Sequence, residues 1–235
     1  MFPKKRKVRP YVHPNVEPIT FMKLDADTEG RVSRIAEELK NGFTLLKSCK
    51  YSVTFWGSAR TSPEDPEYKK AERLAARVHR ELSYAVITGG GPGIMSAGNC
   101  GAYDAGGKSV GLTIKLPFEQ KTNLCLTHHM DFQYFFTRKV CLAFAAEAYV
   151  YFPGGFGTLD ELFEVLTLVQ TKKIDPAPAI ILVGKSFWKD LDYFIKKQLL
   201  KNEKINAEDL KLYTITDDED EIIELIKKAP IRDRG

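Results

Sequence analysis

Two rhythms of apolar and polar residues alternate along the chain. Within Asp25–Lys47, Val32, Ile35, Ala36, Leu39, Phe43 and Leu46 recur at helical spacing between charged residues, the stripe of an amphipathic helix. The next segment, Tyr51–Gly57 (YSVTFWG), is a short apolar run closed by Gly57-Ser58 and predicts a strand. A polar, proline-containing loop leads to a helix around Pro66–Leu82, with Leu74, Val78 and Leu82 on one stripe. The pair of signals then repeats. YAVITGGG (Tyr84–Gly91) predicts a strand and turn, and Met95–Ala105 a small-residue helix stopped by Gly106-Gly107. SVGLTIKL (Ser109–Leu116) predicts a strand, and Asp131–Phe135 begins or follows another. Helices over Thr137–Ala146, Thr158–Lys172, Phe187–Lys201 and Asp217–Lys228 complete the series. They alternate with strands AYVYF (Ala148–Phe152), PAIILVG (Pro178–Gly184) and KLYTIT (Lys211–Thr216).

Parallel neighbours in a sheet need crossovers, usually helical, and the helices then cover both faces. Apolar strands alternating with helices therefore predict an α/β fold: a single doubly wound (Rossmann-like) domain, a parallel sheet with helices on both faces. The expected organisation is a flexible basic arm over 1–24, an N-terminal helix within 25–50 and a nucleotide-binding domain over 51–230.

Composition narrows the class without changing the fold. At 235 residues, 43% hydrophobic and 28% charged, the chain is an ordinary globular protein long enough for one substantial core. No run approaches the ~18 apolar residues that span a bilayer; the longest, Val140–Phe152, is interrupted by Glu147. No apolar signal-type run follows the basic N-terminus, so the expected setting is cytoplasmic. The four cysteines, Cys49, Cys100, Cys125 and Cys141, show no CxxC pair, and the expectation is buried free thiols. Histidine clusters only at His128-His129, too few ligands for a metal site, so none is expected; a structural role for that pair is favoured over contact with a base or a partner subunit. The net charge of +4 is concentrated: five basic residues and no acid fall within residues 1–10, leaving the remainder near −1. No nucleic-acid face is expected. The segment PKKRKV (Pro3–Val8) looks like a nuclear localisation signal, with a solvated arm the favoured reading.

Ligands of doubly wound sheets bind beyond the carboxyl ends of strands. Three such corners are unusual here: FWGSAR (Phe55–Arg60), TGGGPGIM (Thr88–Met95) and FPGGFGT (Phe152–Thr158). Glycine runs before helices let backbone N–H groups approach an anion. Neither run is a P-loop, because GxxxxGK[ST] spacing is missing, and Gly89–Gly93 does not fit GxGxxG. One phosphate of a mononucleotide is the more economical ligand. Thr158 and Glu161 also form the T-x-x-E pattern of a capping box, the competing structural reading of that acid. A carboxylate beside a sugar phosphate would instead stabilise an oxocarbenium-like transition state, attack the anomeric carbon, or activate water.

PGGFGTLDE (Pro153–Glu161), with TGGGPGIM upstream and Arg138-Lys139 between, resembles the LOG (LONELY GUY) family over roughly residues 50–185. These are phosphoribohydrolases of cytokinin riboside and other nucleoside 5′-monophosphates, often labelled lysine decarboxylases. The resemblance implies hydrolysis of the N-glycosidic bond to a free base and ribose 5-phosphate, as in cytokinin biosynthesis. It implies a catalytic pair, Arg138 and Glu161, with Glu161 as nucleophile or as base toward water. It implies a phosphate and ribose cradle of Gly89, Gly90, Gly91, Gly93, Gly154, Gly155, Gly157 and Thr158. Gly57, Ser58, Met95 and Lys139 are candidate pocket residues, with core packing the first role of Met95. No cofactor is expected. The expected partners are an AMP-like nucleoside monophosphate and a second copy of the chain, in a homodimer or higher oligomer. The sequence departs from short members in three ways: Thr88 replaces the first glycine of the first run, about 50 residues precede the first strand, and a strand-helix tail follows Lys201. A non-catalytic nucleotide sensor of the same fold is the alternative. A pyridoxal phosphate decarboxylase is disfavoured, since the glycine motifs carry no Schiff-base lysine.

Overall fold

In the computed structural model, described for residues 28–115 and 122–231, seven parallel strands run in the order β4-β3-β2-β1-β5-β6-β7. The strands are β1 (Ser52–Trp56), β2 (Ala85–Thr88), β3 (Ser109–Ile114), β4 (His128–Phe132), β5 (Ala148–Tyr151), β6 (Ala179–Leu182) and β7 (Thr214–Ile215). The helices are α1 (Thr28–Lys47), α2 (Pro66–Leu82), α3 (Ile94–Asp104), α4 (Phe135–Ala143), α5 (Phe156–Gln170), α6 (Lys185–Phe194) and α7 (Glu219–Lys228). This is the expected doubly wound α/β fold. The basic arm, including Pro3–Val8, lies outside the described residues.

Both faces of the central strands are buried, as parallel strands require. Side chains alternate strictly. Val53, Phe55, Val150 and Phe152 point to a core shared with α2, α3 and α7 residues such as Leu74, Ile94 and Ile222. Trp56, Tyr149 and Tyr151 point to the opposite core, with Leu142, Leu162 and Trp188. Each fully buried aliphatic or aromatic side chain contributes about 1.5–3 kcal/mol. Strand β4 sits at the sheet edge, and its first residues, His128 and His129, are exposed. They pair with Val110 and Gly111, at the strand end remote from Ile114, away from the edge that carries the glycine corners.

Several boundaries move. Helix α5 starts at Phe156, two residues before the expected Thr158, and α4 starts at Phe135. Helix α6 continues through a π-helical turn, Ile195–Leu200. The expected strand Lys211–Thr216 shrinks to two residues after a 3₁₀ turn, Ala207–Lys211, whose Asn206 and Asp209 form a capping box. The cysteines also differ from expectation. Cys100 on α3 and Cys125 in the β3–β4 connection form a disulfide, while Cys49 and Cys141 are free and buried. Sequence spacing carried no trace of that pair, because only the β3–β4 connection returning over α3 brings the two together.

The strand order reverses between β1 and β5. Chain leaving β1 turns toward β2, and chain leaving β5 turns the other way toward β6. A crevice opens where such crossovers diverge.

Candidate functional site

The three unusual corners are hydrogen-bonded to one another through Ser58. Its N–H donates to the Pro153 carbonyl at 2.9 Å, and its own carbonyl accepts from Ile94 N–H at 3.0 Å. That approach leaves no room for a side chain at Gly93, where a Cβ would lie 2.2 Å from the Ser58 carbonyl oxygen and φ is +68°. Glycine is needed there both for space and for its left-handed backbone.

Beyond these corners lies a cavity of about 740 Å³. Of the residues singled out in the sequence, Gly57, Ser58, Gly89, Met95, Arg138, Gly155, Gly157, Thr158 and Glu161 line it. Gly90, Gly91, Gly93, Gly154 and Lys139 do not. Part of the first glycine corner is bonded within the protein, while Gly89 faces the cavity. The Thr88 hydroxyl accepts from Gly90 N–H at 2.9 Å, and Asn123 donates to the carbonyls of Gly90 and Gly91 at 3.0 and 3.1 Å. Gly154 has a packing role, since a Cβ there would lie 2.1 Å from Thr158 Oγ1.

The second glycine corner is open. Gly155 is the N-cap of α5, no side chain caps the helix, and its first turn holds no acid. A T-x-x-E capping box is therefore not formed. Thr158 sits inside the first turn and Glu161 in the second, because the extended Gly155 lets the helix begin earlier than the threonine. Uncapped N–H groups at this end carry partial positive charge and face the cavity side of the sheet.

Glu161 is 3% exposed, and its Oε2 has no hydrogen-bond partner. Burial raises its pKa to about 8; Lys139 and Arg138 pull it down, while Glu164 and Asp160 push it up. Arg138, in the first turn of α4, stacks its guanidinium over Phe135 at 5.5 Å. Its Nη1 makes one long contact, 3.5 Å, to the Leu112 carbonyl, and its Nε is buried without a partner. Burial lowers its pKa, against the opposing pull of Glu161. Lys139 turns away to ion pairs with Asp160 at 2.5 Å and Glu164 at 3.3 Å. Burial pulls its pKa down, but Asp160 and Glu161 outweigh this and the net shift is upward.

Sequence reading missed Trp56, Phe135 and Phe156. All three line the cavity; Trp56 Nε1 is buried without a partner, and the Phe156 side chain is 92% exposed. Phe156 lay inside the quoted motif, and exposure was the signal that sequence lacks. Arg60, in the first corner, lines the cavity too. Glu147 is fully buried at the opposite end of β5 and accepts from Ser52 N–H at 2.9 Å. Among the described residues no cluster of metal-ligating side chains occurs, and no helix is long and apolar enough to cross a membrane.

Comparison with known proteins bears on this arrangement. The family model described as "Possible lysine decarboxylase" matches residues 95–226, more than half of the chain. A curated relative from Arabidopsis thaliana, probable cytokinin riboside 5′-monophosphate phosphoribohydrolase LOG6, is 29% identical over 167 residues, covering 68% of this chain and 81% of the relative. Among solved structures, the protein TM1055 superposes with a TM-score of 0.58 at 21% identity, over 76% of this chain and 99% of that one. The molybdenum cofactor carrier protein of Chlamydomonas reinhardtii does so at 0.56 and 18% identity, over 77% and 98%. The molybdenum cofactor binding protein of Rippkaea orientalis follows at 0.55 and 20%, over 75% and 94%. Those structural likenesses establish the fold. The match over residues 95–226 goes further: the chain belongs to the LOG-like family described as possible lysine decarboxylases.

Proposed function

We propose that the chain is a nucleoside 5′-monophosphate phosphoribohydrolase acting on adenine- or cytokinin-type nucleotides. The observation that carries this reading is the convergence on one cavity of an uncapped helix N-terminus and two side chains with unpartnered buried atoms, Arg138 and Glu161. The 5′-phosphate docks on the backbone N–H groups at Phe156 and Gly157, where the helix dipole favours an anion. Thr158 and Ser58 border the ribose. Water adds to C1′ as the C1′–N bond breaks: the hydroxyl stays on C1′, and the one proton water releases, taken first by Glu161 or solvent, ends on the departing base nitrogen. Glu161 acts in its ionised form, as nucleophile or as base toward that water, and its charge offsets that of the ribose as it becomes cationic; Arg138 orients it and offsets the negative charge that builds on the departing base. The curated relative, named as a phosphoribohydrolase, supports the same chemistry.

The test is to incubate the protein with AMP and a panel of other nucleoside monophosphates and to assay free base and ribose 5-phosphate. Hydrolysis of at least one is expected, and Glu161→Gln should lower kcat by about 10²–10⁴-fold. Full activity in that variant would remove Glu161 from the chemistry.

A second reading, nucleotide binding without turnover, is favoured by one observation: Glu161 Oε2 is buried without a partner, and that burial raises the carboxyl pKa to about 8 and disfavours its ionised form. Saturable AMP binding without product would select it. The decarboxylase description of the family does not fit the cavity. Pyridoxal phosphate chemistry needs a lysine amine; among the described residues no lysine lines the cavity, and Lys139 is held by two carboxylates. The reading also carries a homodimer and a cytoplasmic setting. An exposed stripe of Phe136, Val140 and Phe144 on α4 supports the dimer.

A further inference from the structure

The helix that precedes the first strand is not a passive cover. Helix α1 meets α4 at two points one helical turn apart, Glu38 and Gly42, which share a face. Helix α4 begins at Phe135, and its N-cap, Tyr134, makes no capping bond through its side chain. The cap comes instead from across the fold. Glu38 Oε1 accepts from Gln133 N–H at 2.6 Å, and Oε2 accepts from Tyr134 N–H at 3.4 Å. The Thr137 hydroxyl lies 2.6 Å from Glu38 Oε2 and 2.8 Å from the Tyr134 carbonyl, sharing its proton between them. One turn further along α1, Gly42 lets α4 come so close that a Cβ there would lie 2.5 Å from Cys141 Sγ. The carboxylate thus satisfies the otherwise bare start of α4, and the glycine fixes the helix's distance.

Arg138 immediately follows Thr137. Its side chain has little else to hold it: one long contact to Leu112, the Phe135 ring and an unpartnered Nε. Its placement is therefore set mainly by the first turn of α4. We propose that Glu38 is a positioning residue for the cavity, an anionic cap supplied by α1 that fixes the first turn of α4 and with it the guanidinium of Arg138 beside Glu161. This rests on the proposed function only for its effect on turnover; that Arg138 and Glu161 line one cavity stands independently.

The experiment compares wild type, Glu38→Gln, Glu38→Ala and Thr137→Val with Asp218→Ala, which removes the cap of the remote helix α7. Two readouts are taken well below each melting temperature: kcat and KM with AMP, and the titration of the Glu161 carboxyl carbon by NMR. The groups that set that titration are Arg138 and Lys139 from α4 and Asp160 and Glu164 from α5 itself. A displaced cation makes the carboxyl harder to ionise. The expected result is an upward-shifted Glu161 titration and a kcat lowered about 10–100-fold, a size typical of displaced catalytic groups, with KM changed less. The losses should be largest in Glu38→Ala and partly restored in Glu38→Gln, which keeps an acceptor. Asp218→Ala should lose stability alone. If Glu38→Ala does not fold, Glu38→Gln and Thr137→Val carry the test. An unaltered Glu161 titration in the folded Glu38 and Thr137 variants overturns the proposal, whereas absence of AMP hydrolysis in wild type overturns only the proposed function.

Discussion

Glu161 combines burial with a site for charge, and its titration exposes both. Its pKa in the folded chain stands at about 8, against 4.5 for a free side chain, with burial the largest cause. The folded state therefore holds a proton that the unfolded chain has released between these values. Stability from this group is fully present below about pH 4.5 and is lost as pH rises toward 8. The unfolding free energy of Glu161→Gln, measured by denaturant at pH 5 and pH 8.5, should gain on wild type by roughly 2–4 kcal/mol across that window. A parallel difference at the two pH values would mean the carboxyl is not held protonated by burial. The catalytic counterpart is that kcat/KM with AMP should rise with pH through about 8, because the ionised form acts.

Helix α5 shows how an element can be recognised from sequence while its role at one end is misread. The apolar spacing of Leu162, Val165 and Val169 made the helix legible, and T-x-x-E at its start has the form of a capping box. Gly155 takes an extended backbone and lets the helix start at Phe156, so the cap is lost and the acid moves one turn inward. Two glycines of the same motif then separate by role. At Gly157 nothing lies within 4 Å of an added Cβ, and the residue is helical, so Gly157→Ala should leave stability unchanged or raise it by up to about 1 kcal/mol. If the phosphate docks on this backbone, the same variant should raise the KM for AMP several-fold. Gly154→Ala forces a clash with Thr158 Oγ1 and should destabilise by about 1–3 kcal/mol. Thermal melts of the two variants, set beside their kinetics, distinguish packing from ligand approach.

At the scale of the whole molecule, the exposed stripe Phe136, Val140 and Phe144 runs along α4 at four-residue intervals, on the helix that carries Arg138. An exposed apolar face is the feature that supports the proposed dimer. Light scattering should report a dimer, and Val140→Glu should shift it toward monomer; a monomeric wild type would remove the dimer from the reading. The alternation of buried strands and amphipathic helices, read along the chain, determined the fold class and the edge of the sheet on which the cavity opens, because periodicity and βα succession are local properties of the sequence. Arg138 and Glu161 were singled out through the resemblance of their motifs to the LOG family, and the fold brings both to one cavity. Tertiary structure alone decided the rest. It bonded the first glycine corner to Thr88 and Asn123, joined Cys100 to Cys125, added Trp56 to the cavity and brought Glu38 to the start of α4. Each of these depends on residues brought together by the packing of separate elements, and the spacing along one chain holds no record of such distances.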